Sequence, residues 1–287
     1  MRNITLATLF FGLLFSCSNH ADIPVWEITK EDGPKSYLIG TIDYMDKSEN
    51  GDLLNELITN KFNEATTYIT QIDIKNSDFL LTKQELEIGM NQTLKDVMED
   101  VDFDYLQNLI TEFNKSKTNN LLSPDSNRTR LIFYLQDALY NNNQNNFYFE
   151  QYFMKQAMGN KKNIVGLETY QDFYRTQSQI SDEEQLGFMR TIGIVESFSN
   201  DYKNNIAEAY KEGDLEKIQE VTINTFPYQK TNYANFYTKK HTFWVRAIDS
   251  NLIQEKCFIT LNATNLSGRG NFIETLLSKG YKVDKIQ

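Results

Sequence analysis

The segment Cys257-Phe-Ile-Thr-Leu-Asn-Ala-Thr-Asn-Leu-Ser-Gly-Arg-Gly-Asn-Phe-Ile-Glu-Thr-Leu-Leu-Ser-Lys-Gly-Tyr-Lys-Val283 decides the fold of this chain. The run from Lys256 to Leu261 is apolar and predicts a strand, residues 271–277 predict a short helix, and residues 281–286 predict a last strand. Glycines at 268, 270 and 280 supply the turns. Strand, glycine turn, helix and strand form a βαβ unit, whose first turn opens at the carboxyl edge of a sheet, a usual place for ligands.

The amino-terminal residues predict further strands of the same sheet. Residues 24–29 and 36–43 are rich in strand-forming residues and are separated by the turn-forming cluster Glu31-Asp-Gly-Pro34, which predicts a hairpin. Residues 53–63 have a helical pattern. The next run, from Ala65 to Ile74, alternates in character and is rich in β-branched residues, as a partly buried strand is.

The middle of the chain has helical patterns, over residues of about 101–116, 125–142, 147–158, 182–212 and 229–254. At helical spacing Phe147, Phe149, Tyr152 and Phe153 indicate a core rather than a cofactor site. We therefore predict a mixed α/β fold, with a central sheet built from the two ends of the chain and a large helical middle region.

Three stretches resemble motifs of the TraB/GumN family, which includes TIKI-type metalloproteases and PrgY-type pheromone-shutdown proteins. They are Val25-Trp-Glu-Ile-Thr-Lys-Glu-Asp-Gly-Pro-Lys-Ser-Tyr-Leu-Ile-Gly-Thr-Ile-Asp-Tyr-Met-Asp-Lys47, Lys162-Asn-Ile-Val-Gly-Leu-Glu-Thr-Tyr170 and the segment from Cys257 to Val283. The resemblance implies the family's fold for nearly all of the chain after residue 23. In the family the first and last motifs each carry a histidine, and this chain has neither.

The resemblance also implies the positions of a site. Where the family has histidines and a glutamate as metal ligands or acid-base groups, this chain has Asp43, Asn265 and Gln71, whereas the central motif keeps Glu168. Lys240 stands where the family usually has arginine. Because amides neither accept protons usefully nor bind most divalent cations tightly, this set predicts a hydrogen-bonding pocket rather than a proton-transfer site. We assign vestigial catalytic positions to Asp43, Gln71, Glu168 and Asn265, and ligand-binding positions to Gly40, Lys240 and Asn262.

Two alternatives for the acidic residues stay open. Glu168 either belongs to the site or caps the helix that follows it, where exposed amides and the helix dipole favour an acid. Asp43, Asp73 and Glu168 could also gather into an oxygen-only site for a divalent metal such as Mn, with Asp43 and Glu168 as its ligands. His241, on a predicted helix, is expected to be a surface or packing residue.

The first residues predict a leader rather than folded structure. Arg2 precedes an apolar run, residues 4–15, that is too short to span a bilayer, and it ends in Leu14-Phe15-Ser16-Cys17. This ending resembles a bacterial lipobox, so we expect residues 1–16 to be a lipoprotein signal peptide, Cys17 to be lipidated, and residues 17–23 to be a tether. The alternative is an ordinary secretory signal with an incidental Cys17. Residues 24–287 are expected to form a single domain, with helical insertions at about 80–160 and 180–254.

Composition excludes several classes of function. The chain of 287 residues has a formal net charge of −10, so nucleic acid is an improbable partner. It contains two histidines and two cysteines, which makes a Cys/His zinc site or a Ser-His-Asp triad hard to assemble.

These observations predict a lipid-anchored protein of the bacterial cell envelope, at its periplasmic or extracellular face. Its degenerate site is expected to bind a peptide, a small ligand or an envelope protein partner without a cofactor. The alternative is metal-dependent hydrolysis of peptide or amide bonds through Asp43 and Glu168, with Gln71 and Asn265 positioning the substrate. A purely structural envelope protein is the third hypothesis.

Overall fold

The computed structural model describes residues 23–31, 33–42, 45–46, 54–73, 100, 103–104, 107–108, 111, 146–177, 196–225 and 227–287. The strands among them are β1 (Val25–Thr29), β2 (Ser36–Thr41), β3 (Met45–Asp46), β4 (Thr67–Ile72), β5 (Asn146–Phe147), β6 (Asn163–Glu168), β7 (Cys257–Asn262) and β8 (Lys282–Lys285). The α-helices are α1 (Glu56–Glu64), α2 (Phe149–Gly159), α3 (Tyr170–Gln177), α4 (Glu196–Lys211), α5 (Leu215–Thr225), α6 (Pro227–Gln254) and α7 (Phe272–Ser278). A 3-10 turn, Ala263–Asn265, directly follows β7.

The main sheet has six strands in the order β6-β4-β7-β2-β1-β8. The strands β6, β4, β7 and β2 are parallel, and β1 runs antiparallel to both of its neighbours, β2 and β8. A separate antiparallel pair joins β3 to β5. The carboxyl ends of the four parallel strands therefore meet at one edge of the sheet.

Alternating residues of the sheet enter two hydrophobic clusters, one on each face. On β7, Phe258 belongs to the first cluster, whereas Ile259 belongs to the second. Side chains of α1, α2, α4 and α5 complete the first cluster, and side chains of α6 and α7 complete the second. The result is a sheet covered by helices on both faces, which explains why its central strands are almost continuously buried.

The predicted mixed α/β fold is confirmed. The hairpin of β1 and β2, the strand β4 and the terminal strand-helix-strand unit all occur. Two strands, β2 and β1, separate the members of that last unit in the sheet. Phe149 and Phe153 are buried in the core as predicted, and Phe147 and Tyr152 pack against it.

Parts of the predicted organisation lie outside the described residues. These are the leader, the tether up to residue 22, the helical pattern of residues 125–142, most of that of residues 101–116, and residues 182–195 of the pattern 182–212. The proposed domain limits stay a prediction. None of the helices in the described part of the chain is both long and apolar enough to cross a membrane.

Candidate functional site

The carboxyl ends of adjacent strands bring the candidate residues together. Gln71 lies near the end of β4, Glu168 is the last residue of β6, and Asn265 ends the turn after β7. Because β6, β4 and β7 are parallel neighbours in that order, these residues share one edge of the sheet. Glu168 and Asn265 are buried, whereas Gln71 is half-buried.

Hydrogen bonds join these side chains into a chain of contacts. Gln71 donates from Nε2 to Glu168 Oε1 over 2.9 Å, and Asn265 Nδ2 lies 3.5 Å from Gln71 Oε1. The ammonium of Lys240 lies 3.0 Å from the same Glu168 oxygen. The structure thus brings together Gln71, Glu168, Asn265 and Lys240.

Lys240 occupies an aromatic environment on the helix α6. Its Nζ lies 4.4 Å from the ring centroid of Trp244, 5.7 Å from that of Phe173 and 5.9 Å from that of Tyr237. Burial lowers the pKa of the Lys240 ammonium, and the neighbouring Glu168 carboxylate opposes this shift. The aromatic rings and the carboxylate together compensate for the lost hydration of the ammonium.

His241 is the site residue that sequence reasoning missed. Its side chain is fully buried, so of the two expected roles the packing role is confirmed and the surface role is wrong. The ring also extends the contact chain beyond Asn265. Its Nδ1 lies 3.0 Å from the carbonyl oxygen of Gly270 and its Nε2 lies 3.3 Å from Asn265 Oδ1. Burial lowers the pKa of His241 to about 4. The available signal was that His241 directly follows Lys240 and is the only histidine after the tether.

The start of α3 shows which residue caps that helix. Thr169 Oγ1 accepts a hydrogen bond from the backbone N–H of Asp172 over 3.1 Å, and the Asp172 carboxylate accepts one from the Thr169 N–H over 3.3 Å. This reciprocal pair is a capping box. The Glu168 side chain instead contacts Gln71 and Lys240, so the capping role belongs to Thr169.

Gly166 allows the end of β4 to approach β6 closely. A Cβ atom at this position would lie 2.1 Å from Asp73 Cα, and the backbone N–H of Asp73 donates to the Glu168 carbonyl over 2.7 Å. Only a residue without a side chain fits this crossing. The crossing holds the backbone of Glu168 at the edge of the sheet.

The remaining predicted positions have structural contacts or lie elsewhere. The Gly40 carbonyl accepts a hydrogen bond of 2.6 Å from Tyr210, and Asn262 Oδ1 accepts one of 3.1 Å from the Thr264 N–H. Both contacts order the strand ends, and the ligand-binding roles of Gly40 and Asn262 stay predictions. Asp43 and Cys17 lie outside the described residues.

Two features of the described residues bear on metal binding. Among these residues, no group of three or more His, Cys, Asp or Glu side chains is arranged to hold a metal ion. The ammonium of Lys240 lies 3.0 Å from Glu168 and repels a second cation there. The alternative pair of Asp43 and Glu168 stays a hypothesis, because Asp43 is not described.

Comparison with known proteins identifies a family. The model of the TraB/PrgY/gumN family matches residues 24–285, which is nearly the whole chain. No curated protein and no solved structure gives a significant match.

Proposed function

The chain belongs to the TraB/PrgY/gumN family, and we propose that it is a degenerate, non-hydrolytic member that binds a peptide or small ligand at the carboxyl edge of its sheet. We further propose that it acts as an envelope lipoprotein anchored through Cys17, which is supported by the leader and its lipobox-like ending.

The observation that carries this proposal is the pair of contacts made by one oxygen of the Glu168 carboxylate. This oxygen contacts both the Lys240 ammonium at 3.0 Å and the Gln71 amide at 2.9 Å. An oxygen that already accepts from both an ammonium and an amide is poorly available to a substrate proton or a metal, because one of these contacts would have to break first. The neighbours of Glu168 on the sheet edge, Gln71 and Asn265, are amides, which form hydrogen bonds but do not transfer protons.

The first test is calorimetric titration of Mn²⁺ and Zn²⁺ into the form that starts after Cys17, with Glu168→Ala as the control. We expect no tight binding of either metal and no cleavage in a peptide-hydrolysis screen. Tight binding that Glu168→Ala abolishes, together with peptide cleavage, would support the metal-dependent hydrolase instead.

Ligand binding itself is tested through the Trp244 indole, which contacts Lys240. The chain has two tryptophans, so Trp26→Phe leaves Trp244 as the single reporter of the site. A library of short peptides should contain members that change the Trp244 fluorescence saturably. A library that leaves the emission unchanged would count against the peptide part of the proposal.

A further inference from the structure

Both ends of the contact chain through the site can only accept hydrogen bonds. At one end is the carbonyl oxygen of Gly270, 3.0 Å from His241 Nδ1. At the other end is the Glu168 carboxylate, 2.9 Å from Gln71. This carboxylate forms an ion pair with Lys240, and the same oxygen accepts the hydrogen bond from Gln71.

A neutral His241 cannot satisfy every contact between these two ends. We assign its single ring hydrogen to Nδ1, because the Gly270 carbonyl at 3.0 Å can only accept, whereas the Asn265 amide at 3.3 Å from Nε2 can turn to donate; Nε2 is then an acceptor. Asn265 then satisfies Nε2 only if its amide nitrogen points there, which requires a half-turn of the amide. Gln71 must keep its nitrogen towards Glu168, since two oxygens 2.9 Å apart would repel each other.

The consequence is a pair of facing oxygens. After the half-turn, the Asn265 oxygen faces Gln71 Oε1 at about 3.5 Å, which is the longest contact in this hydrogen-bonded network. Without the half-turn, the Asn265 oxygen faces the lone pair of His241 Nε2 at 3.3 Å instead. In either arrangement the Asn265 side-chain oxygen faces another acceptor instead of a donor. The network is therefore one hydrogen-bond donor short, and we call this the missing donor.

Burial decides which of the two arrangements a ligand can reach. His241 is 0% exposed and Asn265 is 3% exposed, so their mutual contact is closed to solvent. Gln71 is only half-buried, so its side of the hydrogen-bonded network is accessible to solvent. A ligand can therefore reach the contact between the oxygens of Asn265 and Gln71, from the side of Gln71.

We propose that the ligand supplies the missing donor as a protonated amino group, which binds between the side-chain oxygens of Gln71 and Asn265. This inference rests on the proposed ligand-binding function and names its chemical class. The net charge of −10 favours a cationic donor over an anion. The amino group belongs either to the amino terminus of a peptide or to a small amine.

The first experiment determines which of the two ring nitrogens of His241 carry a hydrogen. The full chain has two histidines, so His20→Ala leaves His241 as the only source of imidazole signals in ¹⁵N NMR of the detergent-solubilised protein. At pH 7 we expect a neutral ring protonated at Nδ1. A ring protonated at Nε2 would move the missing donor to another contact, and a ring protonated at both nitrogens would leave no donor missing. Either result would overturn the donor assignment and leave the proposed function standing.

The second experiment compares probes of opposite character by saturation-transfer NMR on the full chain. The first pair is n-butylammonium and butyrate, and the second is tetra-alanine amide with a free or an acetylated amino terminus. We expect binding of the free-amino probes only. A preference for the peptide identifies a peptide amino terminus, and binding of butylammonium alone identifies a small amine.

The matched variant is Gln71→Met, which removes the accessible oxygen and keeps the size of the side chain. It should weaken binding of the amino probe about tenfold or more, as expected for a lost hydrogen bond to a charged group. Preferred binding of butyrate or of the acetylated peptide would overturn the donor assignment alone. Binding of none of the four probes would overturn both this inference and the proposed function.

Discussion

At the scale of single residues, the charge pair of Lys240 and Glu168 is the basis for proposing a non-hydrolytic site. Their side chains are 11% and 4% exposed, so the pair is nearly dry. A buried pair of this kind costs desolvation energy and is stable only when both charges are present and hydrogen-bonded. Gln71 supplies the additional hydrogen bond to Glu168. Glu168 therefore has one oxygen occupied by Lys240 and Gln71, and this oxygen is poorly available for contacts with a metal or a substrate.

The titration of His241 predicts a pH dependence of stability. Burial lowers its pKa from an ordinary value of 6.5 to about 4, so the folded state favours the neutral ring. The unfolded chain takes up the proton first as the pH falls, and stability that is complete above pH 6.5 is lost between pH 6.5 and about 4, by roughly 3 kcal/mol.

Denaturant unfolding across this pH range, compared with His241→Gln, isolates the contribution of the ring from that of the carboxyl groups. The free energy of unfolding of the original protein should fall more steeply than that of the variant. Parallel pH curves for the two proteins would contradict the prediction.

Restoring ionisable ligands should create a zinc site. In Gln71→Glu/Asn265→His, a carboxylate and an imidazole replace side chains that now lie 3.5 Å apart, beside Nε2 of His241. Three such ligands suit Zn²⁺, and the bond from His241 Nδ1 to the Gly270 carbonyl orients that ring as outer-shell partners of metal-binding histidines do.

Calorimetry should detect one zinc ion per chain with micromolar or tighter affinity. Gln71→Glu/Asn265→Gln, which lacks the new imidazole, is the matched control and should bind much more weakly. A correctly folded double variant without zinc affinity would exclude the idea of a vestigial metal site at these positions.

At the scale of secondary-structure elements, the contact between β4 and β6 positions the site. The two strands are paired from Thr67 and Asn163 up to Ile72 and Glu168. The chain then crosses β6 at Gly166, and the helix α3 starts at once with its own cap at Thr169. Because the capping box satisfies the first amides of α3, Glu168 is free to turn its side chain towards Gln71.

The crossing predicts that Gly166→Ala is strongly destabilising. The added Cβ would lie 2.1 Å from Asp73 Cα, which is backbone and must move. We expect a loss of about 2 kcal/mol or more in thermal or denaturant unfolding, together with displacement of Glu168. Gly159→Ala is the control, because its new Cβ meets nothing within 4 Å and alanine favours the helix α2. Equal stability of the two variants would contradict this account.

At the scale of the whole molecule, the sheet relates the two ends of the chain to the site. The Val25 N–H donates to the Gln287 carbonyl over 3.1 Å, so the carboxyl terminus lies beside the start of β1. Since β1 runs antiparallel to β2, it begins at the carboxyl edge of the parallel strands, where Gln71 and Asn265 lie. A tether that precedes β1 would therefore hold the site edge towards the membrane.

The proposed lipid anchor predicts the location of the protein. Cys17→Ala should release the chain from the membrane fraction of the bacterial cell, because the proposed attachment is through acyl chains on Cys17. Incorporation of a labelled fatty acid should be lost in the same variant. Ser18→Ala is the control and should remain in the membrane fraction. Retention of Cys17→Ala in that fraction would contradict the proposed anchoring.

The site could be predicted only in part from the sequence. The family motifs marked Gln71, Glu168, Lys240 and Asn265, and the structure places their side chains in one hydrogen-bonded chain. His241 had no motif, and its role follows only from burial and from its contacts with Asn265 and Gly270. A helical histidine has the same local pattern whether it faces solvent or a neighbouring turn, so the packing of α6 had to be known first.

The sequence by itself determined the mixed α/β fold, because the apolar strands, glycine turns and helical periods are local properties of the chain. The tertiary structure decided which strands are neighbours: β7 pairs with β4 and β2, while two strands lie between β7 and β8. It also decided that Glu168 pairs with Lys240 and that Thr169 caps α3. Gln71 and Asn265 are 194 residues apart, and contacts over such separations depend on how the elements pack rather than on local propensity.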